Sequence, residues 1–518
     1  MSHILKLPGF MLACALGAAA APTITGIFNA ASWVPSGLAN GSIAQGSIFV
    51  VTGSGLGPAT LQQQFTYPLP ATQGLAGTSI QVVVGSQGFD CPMIYSSDGQ
   101  VAAVLPSRTL LGTGTLNLLY QGNRATFPIR VVQSSFGMFA INQGGSGPAV
   151  VTGTAYDVKT PVNAAHPGDV LVAWGTGLGA TTGDETQPPA QVDLNSGAQV
   201  FVGNQAATVL YAGRGSSPGV DQINFVVPAG VSGCYVSLAV QVRGVISNFT
   251  TLPVAPAGQS VCSDVGQFTP GDLQRIQSAG RLNFGLVSLI RAPGAQDQAS
   301  AAFEAIGGSA FLSRLGVTGA VPSAGSCAVN EFAAGTYPLA GGSPGLDAGT
   351  LTLRGPSGTQ TLPVTGSNML NPGTYTISGS GGAKIGPFSV TFNFPPPIAW
   401  TNIGSATLIA RGQDFTVTWS GASPNDVIAL TGTTTAPASA AGQAATIQFV
   451  CAAPASAGQF TVPALVTALL PLNGMASDTL PGVALSLTAV PVTTFHASGL
   501  DTGYIYTMNA SASRAGIQ

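Results

Sequence analysis

Short apolar runs separated by glycine, proline, asparagine and aspartate turns recur along most of this chain. In the first quarter they fall at 48–51, 81–84, 101–104, 116–120 and 129–132. They include β-branched residues and are too short for a helix, so each predicts a strand. The same kind of spacing returns at 170–174, 199–202, 207–211, 223–227 and 235–240. Regularly spaced short strands with turns between them predict β-sandwiches.

From 259 to 325 the pattern changes. Thr269-Pro270-Gly-Asp272 supplies a cap, a proline at the first helical position and an acid in the first turn, which predicts a short helix. Leu282, Phe284, Leu286 and Ile290 then alternate as in a strand. Phe303, Ile306, Phe311, Leu312 and Leu315 recur at roughly helical spacing over 300–315, with Gly316 as the stop. The segment predicts a mixed helical and strand linker packed on a neighbour, because its apolar face is too small to fold alone. Strand patterns resume at 351–353, 374–377 and 388–392, and continue at 415–419, 427–430, 447–450 and 484–487. A stiff Phe394-Pro-Pro-Pro397 stretch divides them. Two modules joined there are expected, with one wide sandwich as the other arrangement.

Residues 168–179, Gly-Asp-Val-Leu-Val-Ala-Trp-Gly-Thr-Gly-Leu-Gly, echo residues 46–57, Gly-Ser-Ile-Phe-Val-Val-Thr-Gly-Ser-Gly-Leu-Gly, at an offset of 168 − 46 = 122. The block from Gln100 to Pro106 matches Gln222 to Pro228, and 222 − 100 is again 122. Two blocks sharing one offset indicate a duplicated module, because chance similarity would not keep the spacing. Gly53, Gly55 and Gly57, with Gly175, Gly177 and Gly179, are expected to shape a strand end or bulge. A phosphate loop is the competing chemistry. It lacks its context, since no Lys-Ser or Lys-Thr pair follows and no helix opens after the glycines.

These residues carry a family resemblance. Asn29-Ala-Ala-Ser-Trp33, the 46–57 block, Gln100 to Pro106 and Phe136-Gly-Met-Phe139 resemble the first half of a repeat abundant in secreted acidobacterial proteins. Pro167-Gly-Asp through Gly179, Val200-Phe-Val-Gly203, Tyr211-Ala-Gly213 and Gln222 to Pro228 resemble its second half. This is the Solibacter-type uncharacterised domain, related to immunoglobulin-like folds of the IPT/TIG kind, and the match covers about 24–258. The resemblance carries no established catalytic residues over to this chain. The C-terminal half is similar to another module of such proteins, through Asn371-Pro-Gly-Thr-Tyr-Thr-Ile-Ser-Gly379, Thr418-Trp-Ser-Gly421 and Gly458-Gln-Phe-Thr-Val-Pro463.

Charged residues are only 6 % of the 518, and the formal net charge is −3, which gives no clustered basic footprint for nucleic acid. A hydrophobic content of 45 % excludes a disordered chain. Lys6, the apolar run that follows and Ala18-Ala19-Ala20 predict a secretory signal peptide over 1–20. Lipidation at Cys14 is the weaker alternative, because the apolar run before it is short. No later stretch reaches the ~18 apolar residues that a span needs. No membrane span is expected in the mature chain.

Removal of Cys14 leaves Cys91, Cys234, Cys262, Cys327 and Cys451, an odd number without metal-ligand spacing. Cys234 begins the last hairpin of the second module and Cys262 follows its final strand, so a bridge there would staple the module's end. Cys327 and Cys451 each lie in a β-like run. An oxidising compartment permits both bridges, leaving Cys91 buried and unpaired. A reactive thiol at Cys91 is the sharper alternative, with no acid–base partner to support it.

Candidate chemistry is thin. Gly-x-Ser-x-Gly occurs at Ser217 and Ser343, but proline follows each serine where a nucleophile elbow needs a helix. His166 precedes Pro167 at a strand entrance, and His496 lies in a strand pattern. Asp184-Glu185 reads as a solvated turn, and Asn248-Phe-Thr250 is a sequon to which nothing is attached. Trp174 and Trp419 suit sandwich cores; an aromatic platform for sugars is the other use, and Trp33 stays open between the two. Trp400 completes the set.

The expectation is therefore mainly β: tandem immunoglobulin-like β-sandwiches with a small mixed linker. The divisions are 1–20 signal peptide, 22–135 and 136–258 duplicated modules, 259–325 linker, and 326–396 and 397–510 further β modules. No enzyme, cofactor or metal site is expected. The function read from this is adhesion, scaffolding or display toward a protein or glycan ligand at the cell surface. A carbohydrate-binding accessory protein is the second reading, and a hydrolase with an unrecognised site the third.

Overall fold

The computed structural model describes residues 21–194, 196–264, 269–307, 321–333, 345–437, 444–472 and 482–518. These form four β-sandwiches with four main apolar cores, the fourth of which also takes in residues of the second sandwich. The expected signal peptide lies outside the described residues.

In the first sandwich, strands Thr23–Asn29, Ile48–Ser54, Gln100–Val104, Met93–Ser96 and Gln62–Gln63 form one sheet. The other holds Ile43–Ala44, Asn123–Val132, Gly112–Tyr120, Thr78–Val84 and Gln87–Asp90. Period-two alternation sends Phe49, Val51, Val101 and Ala103 from the first onto Val82, Leu116, Leu118 and Val131 from the second. Each large apolar side chain so buried contributes about 1.5–3 kcal/mol before entropy is charged against it.

The second sandwich repeats this plan. Strand Val170–Thr176 stands where Ile48–Ser54 stands, and Asp221–Val226 where Gln100–Val104 stands, with the same antiparallel neighbours. Even a bulge recurs. In the first copy the register slips between Met93 and Tyr95, with Tyr95 opposite Ala102; in the second it slips between Val209 and Tyr211, with Tyr211 opposite Asn224. The difference 224 − 102 is again 122. One change separates the copies. Strand Gln205–Arg214 runs unbroken from one sheet into the other, fusing them into a ten-stranded sheet. In the first copy Cys91-Pro92 interrupts the equivalent path, because proline offers no N–H to the ladder.

The two C-terminal sandwiches are interleaved. The third joins Val364–Gly366, Asp297–Gly307, Arg281–Arg291, Thr502–Asn509 and Val492–Phe495 in one sheet, faced by Gly358–Thr361, Leu351–Gly355, Gly373–Gly379 and Phe388–Phe394. The fourth joins Cys327–Ala333, Ala445–Pro454, Val427–Ala436, Val483–Val490, Ser511–Ile517 and Leu408–Ile409, faced by Ala399–Trp400, Phe415–Ser420 and Gln459–Val462. Strands of the two alternate along the chain instead of falling into blocks at 326–396 and 397–510. The cause is long-range pairing: Arg281–Arg291 runs parallel to Thr502–Asn509, and Cys327 stands opposite Cys451.

The 259–325 segment is thus built into a sheet. Its expected helix forms as Pro270–Ala279, with Thr269 and Asp272 in a reciprocal capping box and Gly280 as the left-handed stop. The expected helix over 300–315 does not form where it is described. Residues 297–307 are a strand, paired with Arg281–Arg291 from Arg281 opposite Gly307 to Ile290 opposite Gln298. Ala299 and Phe303 bury on the strand's period, and the hairpin partner overrides the helical spacing of Phe303 and Ile306. Residues 308–315 lie outside the described residues.

Disulfides join Cys234 to Cys262 and Cys327 to Cys451. The first sits in a cluster with Tyr235, Leu273, Ile276 and Leu282, where the helix seals the second sandwich against the third. Cys91 is buried in the first core, and burial pushes its thiol far above the ordinary range. The buried, inert reading of that thiol fits this environment.

Candidate functional site

The two glycine loops occupy equivalent places and serve the fold. A Cβ at Gly53 would lie 1.9 Å from the Thr23 carbonyl oxygen, and one at Gly175 would lie 2.2 Å from that of Gly137. Neither position can carry a side chain without moving a strand. The amides that follow turn toward acids of the chain itself. Gly177 and Leu178 both donate N–H to Asp221 Oδ2 at 2.8 Å, and Gly177 takes φ 107° there. In the first copy Gly55 donates to Asp98 Oδ1 at 3.2 Å and Leu56 to the Asp98 carbonyl at 2.9 Å. An aspartate oxygen therefore fills the place that a phosphate would take in an anion-binding loop. Leu56 and Leu178, between the glycines, plug the cores below.

Asp221 also anchors the joint between the first two sandwiches. Its carboxyl is buried, and burial raises it to about 6 against the opposing pull of Arg214 and the two amides. Arg214 Nη1 lies 3.2 Å from Asp221 Oδ1. The same guanidinium donates to the Gly46 carbonyl at 2.9 Å and the Gly179 carbonyl at 3.1 Å. Asn29 adds donations to Ser135 and Thr176 carbonyls across the same joint. The opposite charges of Arg214 and Asp221 face each other inside the protein, and Asp221 Oδ1 meets the guanidinium as an ion pair without a hydrogen bond.

The candidate catalytic residues are not brought together. Ser217 is exposed in a turn closed by its own carbonyl and Val220 N–H. Ser343 lies outside the described residues. His166 Nδ1 is 3.3 Å from Asp169 Oδ2 and its Nε2 is 2.7 Å from the Gln259 carbonyl, so both nitrogens serve a strand entrance. His496 is exposed. Asp184 accepts from Thr186, but Glu185 is no solvated turn residue: its Oε1 accepts the Ser107 amide at 2.8 Å and ties the loop to the first sandwich. The sequon residue Asn248 is buried and holds Met138 and Gly145 with its amide.

The tryptophans divide. Trp419 and Trp400 are in the fourth core, as expected for Trp419. Trp174 is not in a core. Leu171 and Ala173 take the inward positions of its strand, so position 174 faces outward by alternation. Its ring stacks on Tyr156, which is 72 % exposed, and its Nε1 donates to Thr152 Oγ1 at 3.1 Å. The continuous apolar run 170–174 hid which residues point in.

Trp33 lines a cleft of about 450 Å³ where three sandwiches meet. Phe28, Trp33 and Thr52 come from the first, Gln143 and Ser146 from the second, Asn330 and Glu331 from the fourth. The Phe28 and Trp33 rings are 5.6 Å apart and tilted by 32°. Trp33 and Gln143 hold φ of 55° and 58°, a left-handed backbone that costs non-glycine residues energy and concentrates at functional positions. Glu331 Oε2 accepts from Asn40 at 2.8 Å, while Oε1 is buried with no hydrogen-bond partner among the described residues. Burial raises this carboxyl to about 7. Glu331, Phe28 and Gln143 were invisible as a group in the sequence, because they converge from three separate units.

No family model matches the chain, and no curated protein matches it. Among solved structures, similar chains include the I9–I11 tandem of titin, at 8 % identity and TM-score 0.14 over 68 % of this chain and 94 % of that one. Sidekick-1 immunoglobulin domains 1–4 align at 10 % identity and TM-score 0.12, over 96 % and 99 %. A Bacteroides thetaiotaomicron protein of unknown function aligns at 10 % identity and TM-score 0.15, over 56 % of this chain and 58 % of that one. Scores this low carry no argument, and the class rests on the strand pairing. The chain is a mainly β protein built of β-sandwiches. Among its described residues no helix is long and apolar enough to cross a membrane.

Proposed function

We propose that this chain is an exported, non-enzymatic scaffold that holds a ligand-binding surface at the bacterial cell exterior, for adhesion or display. The observation that carries the reading is the set of buried ties between sandwiches. Arg214 reaches the Gly46 carbonyl, Asn40 reaches Glu331, and Ala239, Ile246 and Phe249 of the second sandwich enter the core of the fourth. Such joints suit a part that holds shape, since each would have to break before the sandwiches could move. Two disulfides accord with an oxidising compartment. The export signal over 1–20, the Solibacter-type family and a division into units at 22–135, 136–258 and an interleaved remainder belong to the same proposal.

Solution scattering of the full chain tests the rigidity, and antibody labelling of intact cells tests the location. One compact envelope and labelled cells are expected. A flexible string of domains, unlabelled cells, or turnover in an esterase, protease or glycosidase screen that Ser217→Ala abolishes would overturn the reading.

A further inference from the structure

We propose that the cleft formed by Phe28, Trp33, Thr52, Gln143 and Glu331 binds a neutral sugar unit of a glycan. The inference deepens the display reading by assigning its ligand class. Its first support is the aromatic pair. Phe28 and Trp33 are half-buried and both line the cleft, with ring centroids 5.6 Å apart. Aromatic faces that stay accessible beside polar groups suit a ligand with one apolar face and a polar rim, which describes a pyranose ring. The second is the polar lining. Thr52, Gln143, Ser146 and Asn330 supply hydroxyls and amides, which can both donate and accept.

Charge then narrows the class. Glu331 is the charged residue of the lining, and no lysine, arginine or histidine is among the described residues there. A phosphate, nucleotide or uronic acid would find no cation among the described lining residues to offset its charge. A ligand that brings no charge of its own meets only hydroxyl and amide groups beside the aromatic pair. A volume of about 450 Å³ at a junction of units is of the size and place usual for small-ligand sites. The strained backbones of Trp33 and Gln143, on walls from two different sandwiches, show that the fold holds these side chains where local preference would not.

The duplication supplies the decisive variant. Thr52 and Trp174 are equivalent, since 174 − 52 = 122. The second sandwich already carries tryptophan at that place on its outer face, so Thr52→Trp fills the cleft with a side chain that this fold accepts. Isothermal titration of the full chain with cellohexaose, xylohexaose and the hexamer of N-acetylglucosamine, with polygalacturonate as the anionic control, is the experiment. At least one neutral hexasaccharide is expected to bind. Thr52→Trp and Trp33→Ala should each weaken it by about tenfold or more, while Trp174→Ala leaves it unchanged. A circular dichroism melt of each variant separates lost binding from lost fold, and Thr52→Trp carries the decision if Trp33→Ala unfolds. The proposal is overturned if no neutral hexasaccharide binds, if affinity survives Thr52→Trp, or if polygalacturonate binds equally well. Failure of this kind leaves the scaffold reading to scattering and surface labelling, which do not depend on any sugar.

Discussion

Asp221, Asp264 and Glu331 all hold their carboxyls above the ordinary range, to about 6, about 6 and about 7, and burial is the first cause in each. Asp264 accepts from the Cys234 amide at 2.6 Å and Ser323 Oγ at 2.9 Å, beside the disulfide. A carboxyl with a raised folded pKa binds its proton more tightly in the folded state. Its contribution is fully present below the unfolded value and is lost as pH rises through the folded one. Thermal stability is therefore expected to rise as pH falls from about 7 toward about 4. Glu331→Gln should flatten that slope and raise stability at pH 7.5 by on the order of 2 kcal/mol, read from melting curves across pH. A melting temperature independent of pH in the wild type would contradict it. Asp221→Ala works the other way. It leaves the Arg214 guanidinium buried without its carboxylate, at a cost of about 3–5 kcal/mol in urea unfolding.

At the scale of elements, the glycine clusters were legible as shape and not as chemistry. What could not be read was what they approach. The Thr23 and Gly137 carbonyls come from strands whose pairing is set by the whole sheet. Gly175→Ala is expected to cost about 1–3 kcal/mol, because the added methyl must displace the edge strand Gly137–Met138. Chemical denaturation measures it, and a neutral outcome would show that this edge yields freely. The helix at Pro270–Ala279 was readable because its caps are local. From residue 300 onward the sequence, with Phe303 and Ile306 three apart, fits a helix as well as a strand. Its hairpin partner decided the matter. Trp174 shows the same limit: five apolar residues in a row carry no sign of which side faces water.

For the whole molecule, the interleaving of the third and fourth sandwiches has a direct consequence. A chain ending at residue 491 would lack strands Val492–Phe495 and Thr502–Asn509 of the third sandwich and Ser511–Ile517 of the fourth. Both are expected to unfold together, with limited proteolysis leaving a resistant fragment near 22–258. Survival of either alone would show that the pairing is not cooperative. The disulfides act at this scale too. Cys327–Cys451 spans 124 residues and Cys234–Cys262 spans 28. The loop-entropy relation gives about 5 and about 3.5 kcal/mol for their removal as serine pairs, the longer loop losing more. Equal losses in calorimetry would mean that folded-state contacts, and not chain entropy, set the effect.

Sequence alone determined the duplication, the β class and the shaping role of the glycines, because repeat spacing, strand-length apolar runs and turn residues are local properties of a chain. Tertiary structure alone decided the interleaved sheets, the outward face of Trp174 and the cleft that gathers Phe28, Trp33, Gln143 and Glu331. Those depend on contacts between residues as much as 303 positions apart (331 − 28), a distance over which local pattern carries no information.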